Sequence, residues 1–404
     1  MPLSNSNARY GSVTKGFHWL TALLIVTLIP LGLIANAAPF DTGEELARKA
    51  GLFSLHKTLG VTLFFVALLR IVWALTQPRP GLLNAKNRAE ALLAETIHWM
   101  LYAALVLAPL SGWVHHAATT GFAPIWWPFG QTLPFVPQSE GVAATAAGLH
   151  QVFVWGLIAA LTLHVAGALK HAAVDRDQTL QRMLPGKSRA PDPGPQRHGP
   201  APVLAALLLW GAAIGIGSGL GAFAHDDTAR PTAPQLELAE SDWQVQNGTL
   251  AITVRQMGSE VTGRFADWTA DITFDEAAPD GRHGAVEVTV SIPSLTLGSV
   301  TDQALGGDFL AAQEHPTARF TADIVADGDA YVADGTLALK GETVPVTLPF
   351  TLKIDGDTAT MEGAARLNRR DFGVGEGVSD EKTLGFAVNV DVTLTATRAE
   401  APDT

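Results

Sequence analysis

Histidines inside apolar segments are the residues of this chain best suited to cofactor chemistry. Nine of the twelve histidines lie in residues 1–224, and several of these fall within long apolar runs. A polar side chain at membrane depth is a functional hypothesis by default, with a helix–helix hydrogen bond as the structural alternative. Because an imidazole nitrogen can ligate a haem iron, axial ligation is the first chemistry that these residues suggest.

His150 and His164 stand 14 residues apart on one predicted helix. At about 100° and 1.5 Å per residue they project from one face and lie about 21 Å apart along the axis. One helix thus offers imidazoles at two depths, which suits two stacked haems that each need a second ligand from another helix. His18 begins the first apolar segment at the membrane edge where His164 also lies. His56 begins the second segment at the opposite edge, where His150 lies. The depths predict the pairs His18–His164 and His56–His150.

Five apolar segments are long enough to cross a membrane, since about 20 residues span ~30 Å of hydrocarbon. Lys and Arg gather at the N-terminus, after the second segment and after the fourth, whereas the loop 115–140 has none. This asymmetry predicts a cytoplasmic N-terminus and a periplasmic C-terminal part. No cleavable N-terminal signal peptide is evident, although the small residues before His225 are compatible with a signal peptidase site. The predicted spans are 17–37, 52–75, 92–114, 143–168 and 202–223.

Four motifs resemble the bacterial cytochrome b561 family. They are FHWLTALLIVTLIPLG, LHKTLGVTLFFVALLRIVW, IHWMLYAALVLAPLSGW and LHQVFVWGLIAALTLHVAGALKH. The resemblance covers residues 7–185 and implies a four-helix di-haem b fold in the inner membrane that exchanges electrons with quinone. It also implies that His18, His56, His150 and His164 are the ligands of two haem b groups per chain.

Two further polar residues lie near the cytoplasmic side of this domain. His98 either contacts a quinone or a haem propionate or makes a structural hydrogen bond. Arg70 follows His56 by 14 residues, so it shares that helix face. Its guanidinium would pair with a propionate through a bidentate fork or extend to the lipid headgroups.

The other histidines of the first half suggest simpler roles. His115 and His116 close the third span at the periplasmic surface, where a solvated loop role is the simplest expectation. They would also lie on the side where a periplasmic donor such as superoxide arrives. His171 and His198 are expected to be cytoplasmic linker residues.

Composition separates the two halves of the chain. Residues 1–224 hold 15 Lys and Arg against 9 Asp and Glu, a formal charge of +6, and residues 225–404 hold 12 against 30, or −18. The basic clusters lie only in short loops beside apolar runs, which excludes a nucleic-acid-binding surface. The chain has no cysteine, which excludes disulfides, thiolate catalysis and cysteine-ligated metal sites.

From about residue 241 apolar and polar residues alternate in eight predicted strands separated by Asp-Gly, Gly and Pro. The Asp-Gly pairs at 327–328, 334–335 and 355–356 predict turns. Many short, evenly spaced strands favour an antiparallel barrel, which removes exposed edges and can enclose a ligand. His225, His283 and His315 are scattered, so no catalytic constellation is predicted here.

The same region resembles the YceI-like family of lipocalin-like barrels that bind isoprenoid chains. The matching motifs are VTGRFADWTADITFD, SIPSLTLGSVTDQALGGDFLAAQEHPTARF, GTLALKGETVPVTLP and LNRRDFGVG. The resemblance implies a polyisoprenoid or a quinone tail as ligand. Each candidate lining residue is equally well explained as ordinary core: Phe265, Trp268, Phe274, Phe309, Phe320 and Phe350.

The sequence therefore predicts a multi-domain inner-membrane protein with four parts. They are an all-α four-helix membrane domain (7–185), a Pro-rich cytoplasmic linker (186–201), a fifth membrane helix (202–223) and an all-β antiparallel barrel (236–398). The leading hypothesis is a quinone-linked oxidoreductase that passes electrons between the quinone pool and a periplasmic donor or acceptor. The alternatives are a b-type cytochrome subunit of a larger respiratory complex and a membrane-tethered polyisoprenoid carrier.

Overall fold

The computed structural model of the protein divides the chain into a helical unit and a strand-rich unit. Both units were predicted from hydropathy and alternation, and the multi-domain fold class is confirmed. The structure describes residues 2–40, 42–119, 123–186, 190–194, 196, 199–223, 234, 236, 241–278, 281–328 and 330–399.

Five helices of the helical unit are long and apolar enough to cross a membrane. Most extend beyond the predicted apolar segments, because backbone hydrogen bonding continues into polar turns outside the hydrocarbon. The last helix instead ends early, at Gly219, and Gly221 follows with a left-handed φ of 83°, a conformation that commonly ends helices. The helices are α1 Ser12–Ala37, α2 Gly43–Leu75, α3 Arg88–Ala118, α4 Glu140–Lys170, α5 Thr179–Met183 and α6 Ala201–Gly219.

The membrane helices pack through small side chains and turn large apolar ones outward. Ala67 of α2 and Ala104 of α3 are fully buried in one cluster, and such small residues let helix backbones approach closely. Phe153 of α4 and Trp210 of α6 meet edge to face with ring centres 5.3 Å apart. An outer surface this apolar suits lipid rather than water. Its most exposed members include Leu23, Val26, Leu69, Val72 and Leu208.

The strand-rich unit is one ten-stranded antiparallel sheet that curls around an apolar interior. Its strands are β1 Trp243–Gln256, β2 Ser259–Phe265, β3 Trp268–Phe274, β4 Arg282–Ser291, β5 Leu295–Thr296, β6 Thr317–Asp327, β7 Ala330–Leu339, β8 Glu342–Asp355, β9 Thr358–Asn368 and β10 Leu384–Arg398, with the short helix α7 Thr301–Leu305 after β5. The order is β3-β4-β6-β7-β8-β9-β10-β1-β2-β5. The Ile272 amide of edge strand β3 donates to the Ser241 hydroxyl, just before β1, at 2.7 Å. A side-chain hydrogen bond thus helps to close the curl.

Two features of this sheet differ from the sequence predictions. The segment EVTGRFADWTADITFD forms two strands, and the short β5 adds another, so eight predicted strands become ten. The turns at 327–328 and 355–356 are confirmed, and Gly328 and Gly356 both have φ of +60°. The turn at 334–335 is wrong, because both residues lie inside β7. A Cβ on Gly335 would stand 2.0 Å from the Thr321 carbonyl oxygen, so this glycine permits close strand approach.

Candidate functional site

Helix α4 presents two histidines to two neighbouring helices. The ring centres of His18 and His164 (the first pair) are 6.2 Å apart, and those of His56 and His150 (the second pair) are 6.3 Å apart. Two imidazoles that bind one metal from opposite sides, each at about 2 Å, have ring centres about 6 Å apart. The structure brings together the same pairs that the depths in the sequence predict, at a separation that suits axial ligation.

The second ring nitrogen of His150 also fits a metal-binding role. Its Nδ1 atom lies 2.7 Å from the Ala108 carbonyl oxygen, and metal-ligating histidines usually make such a bond because it orients the ring. The buried Nδ1 atom of His18 has no hydrogen-bond partner among the described residues, so no such bond orients its ring.

Two glycines leave room beside the second pair. A Cβ on Gly32 of α1 would lie 2.8 Å from Cε1 of His56, and one on Gly112 of α3 would lie 3.0 Å from Nδ1 of His150. Any larger residue would press on an imidazole. The two helices therefore carry glycine where the imidazole rings pack closely against them.

His98 and Arg70 have contacts of their own. His98 Nδ1 lies 2.6 Å from the Ala94 carbonyl oxygen, and its ring centre lies 5.0 Å from that of His164. His98 therefore makes the structural hydrogen bond and also touches the first pair. The Arg70 guanidinium lies 5.3 Å from the Tyr102 ring centre, a stacking contact that the sequence did not indicate.

His115 and His116 take part in the packing of the helical unit. His115 Nδ1 lies 2.9 Å from the Ala143 carbonyl oxygen. His116 is buried, with Nε2 2.9 Å from the Gln131 amide oxygen and Nδ1 3.2 Å from the Lys57 ammonium. The expectation of a solvated loop role is therefore wrong for His116, because the segment after α3 folds back over it.

His171 is also not a free linker residue. It is buried, and its Nδ1 lies 2.7 Å from an Asp177 carboxylate oxygen. Burial raises the pKa of the Asp177 carboxyl, but hydrogen bonds from Thr179 and His171 outweigh burial and hold the pKa below its usual range. The Lys-His-x₃-Asp-x-Asp spacing was the available signal for this cluster. His198 lies outside the described residues.

Glu90, His171 and Asp175 have the spacing of metal ligands. The Lys170 ammonium pairs with both Glu90 and Asp175. An internal cation thus balances these carboxylates, and a structural salt-bridge network accounts for the cluster.

The curled sheet of the strand-rich unit surrounds a partly open cavity of about 320 Å³. Alternate residues of β1, β8 and β10 point into it, as the two-residue repeat of a strand requires. Only a few of its described lining residues are polar, among them Gln256, Gln303 and Arg369. All six aromatic candidates from the sequence line it: Phe265, Trp268, Phe274, Phe309, Phe320 and Phe350.

Comparisons with known proteins separate the same two regions. The family model for prokaryotic cytochrome b561 matches residues 9–186, and the model for the YceI-like domain matches residues 242–396. Cytochrome b561 homolog 2 of Escherichia coli is 32% identical over 194 residues, which cover 46% of this chain and 97% of that protein. A UPF0312 protein of Pseudomonas aeruginosa is 35% identical over 143 residues, covering 33% and 74%. The probable superoxide oxidase CybB of Yersinia pestis is 25% identical over 180 residues, covering 44% and 97%.

Proposed function

The chain belongs to the prokaryotic cytochrome b561 family through its helical unit and to the YceI-like family through its strand-rich unit, and on this premise we propose a di-haem, quinone-linked electron-transfer protein of the bacterial inner membrane. Membership in the first family makes the protein a multi-pass membrane b-type cytochrome. The number of haems, the quinone, the periplasmic donor and the lipid in the cavity are the proposed parts.

The observation that carries the proposal is the pair of facing imidazoles at each of two levels of α4, with ring centres 6.2 and 6.3 Å apart. His18 and His164 would hold one haem b, and His56 and His150 the other. Haem b, when bound, supplies a one-electron iron centre. The carbonyl of Ala108 orients His150, and the apolar helices around both pairs exclude water.

The two pairs would serve opposite faces of the membrane. His98 touches the first pair, and Arg70 lies on the helix that bears His56, 14 residues beyond it. These two residues are the proposed contacts for a quinone or a propionate on the cytoplasmic side. The second pair would face a periplasmic donor, and superoxide is the candidate that the name of the Yersinia relative supports. Two superoxide ions each lose one electron to become dioxygen, and these electrons with two protons reduce one quinone to quinol.

The strand-rich unit would bind an isoprenoid or quinone-type lipid in its cavity. Its aromatic and branched lining offers apolar burial worth roughly 25 cal/mol per Å². A cavity of about 320 Å³ lies at the lower end of the range of small-molecule sites. The lipid half of the proposal depends on this apolar cavity.

Purification in mild detergent, with haem quantification and mass spectrometry of bound lipid, tests both halves. We expect about two haems per chain, a b-type α-band in reduced-minus-oxidised spectra, and an isoprenoid or quinone. A properly inserted chain without porphyrin would contradict the electron-transfer function. A colourless chain that carries lipid would instead support the tethered polyisoprenoid carrier.

A b-type cytochrome subunit of a larger respiratory complex is the second candidate. Exposed aromatic side chains in the segment between α3 and α4 favour it, because Trp126, Phe129 and Phe135 are 56%, 67% and 104% exposed. Aromatic residues are enriched at protein interfaces and also at the membrane surface. Co-purification of a dehydrogenase in fixed stoichiometry would support the subunit role.

A further inference from the structure

One polar residue interrupts the apolar lining of β1. Leu250, Ile252, Val254 and Gln256 occupy alternate positions and all line the cavity. Gln256 is only 4% exposed, and its Oε1 atom has no hydrogen-bond partner among the described residues. Leaving a buried polar atom unpaired destabilises the folded protein. An apolar residue would avoid this cost, so the glutamine points to a ligand.

A second side-chain amide lies at the same end of the cavity. Gln303 of α7 lines the cavity, and its buried Nε2 atom also lacks a partner in the described structure. The Gly306 amide, just after α7, donates to the Gln303 carbonyl oxygen, and Phe309 three residues further on packs against Leu384. Leu384 of β10 pairs with Gln256 of β1, so α7 reaches the end of the cavity where Gln256 lies. The two glutamines together offer a free acceptor and a free donor, whichever way each amide is turned.

The one charged residue among the described lining residues has no donor left for a ligand. Arg369 is 4% exposed and lies at this end, since Gln256 pairs with Leu384 and the Leu384 carbonyl accepts from Arg369. All five N–H groups of its guanidinium donate to backbone carbonyls, at 2.5–3.2 Å. A phosphate or carboxylate would need some of these donors, so the end of the cavity is built for a neutral group.

We propose, building on the lipid-binding role above, that this end of the cavity selects a neutral isoprenoid with a hydroxyl head group. The hydroxyl donates to one glutamine oxygen and accepts from the other amide nitrogen. A polyprenol or the quinol form of a quinone meets this requirement. A prenyl diphosphate brings charge that none of the described lining residues has a free donor to balance, and a hydrocarbon leaves both amides unpaired.

Competition among tail-matched C20 isoprenoids tests this selection on the full-length chain in detergent. Geranylgeraniol is mixed in equal amounts with geranylgeranyl diphosphate or with the C20 hydrocarbon that lacks the oxygen, and native mass spectrometry counts bound copies. The ratio found for each variant is divided by the wild-type ratio, which cancels differences in partitioning into micelles. The test variant is Gln256→Leu with Gln303→Leu, and the matched control is Gln244→Leu on the exposed face of β1.

We expect the alcohol-to-hydrocarbon ratio of the double variant to be about one tenth of the wild-type ratio, as the loss of one or two hydrogen bonds would give. The double variant should lose the advantage over the hydrocarbon, and Gln244→Leu should keep it. Equal binding of the diphosphate and the alcohol, or an advantage that survives in the double variant, would overturn the hydroxyl selection alone. If no isoprenoid binds at all, the lipid-binding role itself fails.

Thermal unfolding of the ligand-free variants shows whether a loss of binding is due to a destabilised fold. Gln256→Leu removes an unpaired buried oxygen, so its unfolding temperature should equal or exceed that of the wild type. A lower unfolding temperature would show that Gln256 supports the fold and would contradict a ligand-directed role.

Discussion

The histidine pairs differ in how their second ring nitrogens are held. The Ala108 carbonyl anchors His150, whereas the buried Nδ1 atom of His18 has no partner among the described residues. A leucine at any of these positions would remove the ligand nitrogen but keep an apolar side chain of similar reach. Single substitutions can therefore separate the two sites.

His150→Leu and His164→Leu should each reduce the haem content from about two to about one per chain, because each removes one of two axial ligands from a different site. The double variant should be free of haem. Pyridine haemochrome assays against protein concentration measure this, with His115→Leu as the control for a histidine outside the pairs. Two haems retained in His150→Leu would show that the second pair is not a ligand pair.

At the scale of the helices, glycine positions decide how closely a neighbour can approach. Gly32 and Gly16 both lie in α1, but a Cβ on Gly32 would meet His56 at 2.8 Å, whereas one on Gly16 meets nothing within 4 Å. Alanine favours a helix over glycine by roughly 0.5–1 kcal/mol at either position. Both alanine substitutions therefore gain the same helix stability, but only Gly32→Ala also introduces a clash, with the His56 ring.

Gly32→Ala should lower the haem occupancy of the second pair or shift its α-band, because the methyl group displaces the His56 ring. Gly16→Ala should leave haem content unchanged and stability equal or higher. Low-temperature reduced-minus-oxidised spectra and haem quantification compare the two variants. Identical spectra and occupancy would show that α1 does not constrain His56.

At the scale of the strands, Gly335 marks where β6 and β7 come closest. A Cβ there would stand 2.0 Å from the Thr321 carbonyl and 2.6 Å from the Ala322 Cβ. We expect Gly335→Ala to destabilise the strand-rich unit by about 1–3 kcal/mol, as overpacking does. Gly307→Ala, where a Cβ meets nothing within 4 Å, is the control. Thermal unfolding followed by β-sheet circular dichroism measures both, and a neutral Gly335→Ala would contradict the close approach.

The whole molecule combines a basic membrane half with an acidic half. The two halves carry formal charges of +6 and −18, and most Lys and Arg of the membrane half lie in the segments predicted to be cytoplasmic, as the positive-inside rule describes. The absence of cysteine from the chain makes every engineered cysteine a single reporter. The side of the membrane on which each engineered cysteine lies can therefore be measured without interference from native thiols.

Thr351→Cys on the exposed face of β8 should react with a membrane-impermeant maleimide added to cells with a permeabilised outer membrane. Lys86→Cys, in the exposed loop after α2, should react only after the inner membrane is opened. This difference follows from five crossings that start in the cytoplasm. Labelling of both positions in intact spheroplasts would contradict the proposed topology. Labelling of Lys86→Cys alone would indicate the opposite orientation.

Local sequence determined the features whose physics is local. Hydropathy is a sum over about 20 residues, so the five membrane helices and the change to strands could be predicted. Helical periodicity likewise placed His150 and His164 on one face, and the sequence depths of His18 and His56 matched them to their neighbours. The two family resemblances also depended on ordered motifs along the chain.

Only the tertiary structure decided the features that depend on segments far apart in the chain. Asp334–Gly335 has the local signature of a turn, yet the approach of β6 makes it part of a strand. His171 resembles a linker residue until α3 brings the Glu90 carboxylate to within 3.6 Å of its Nε2 atom. The role proposed for Gln256 depends on its burial in the cavity and on its pairing with Leu384, whose carbonyl accepts from Arg369. Burial and the supply of hydrogen-bond partners are properties of the packed chain, because they depend on which distant atoms replace water.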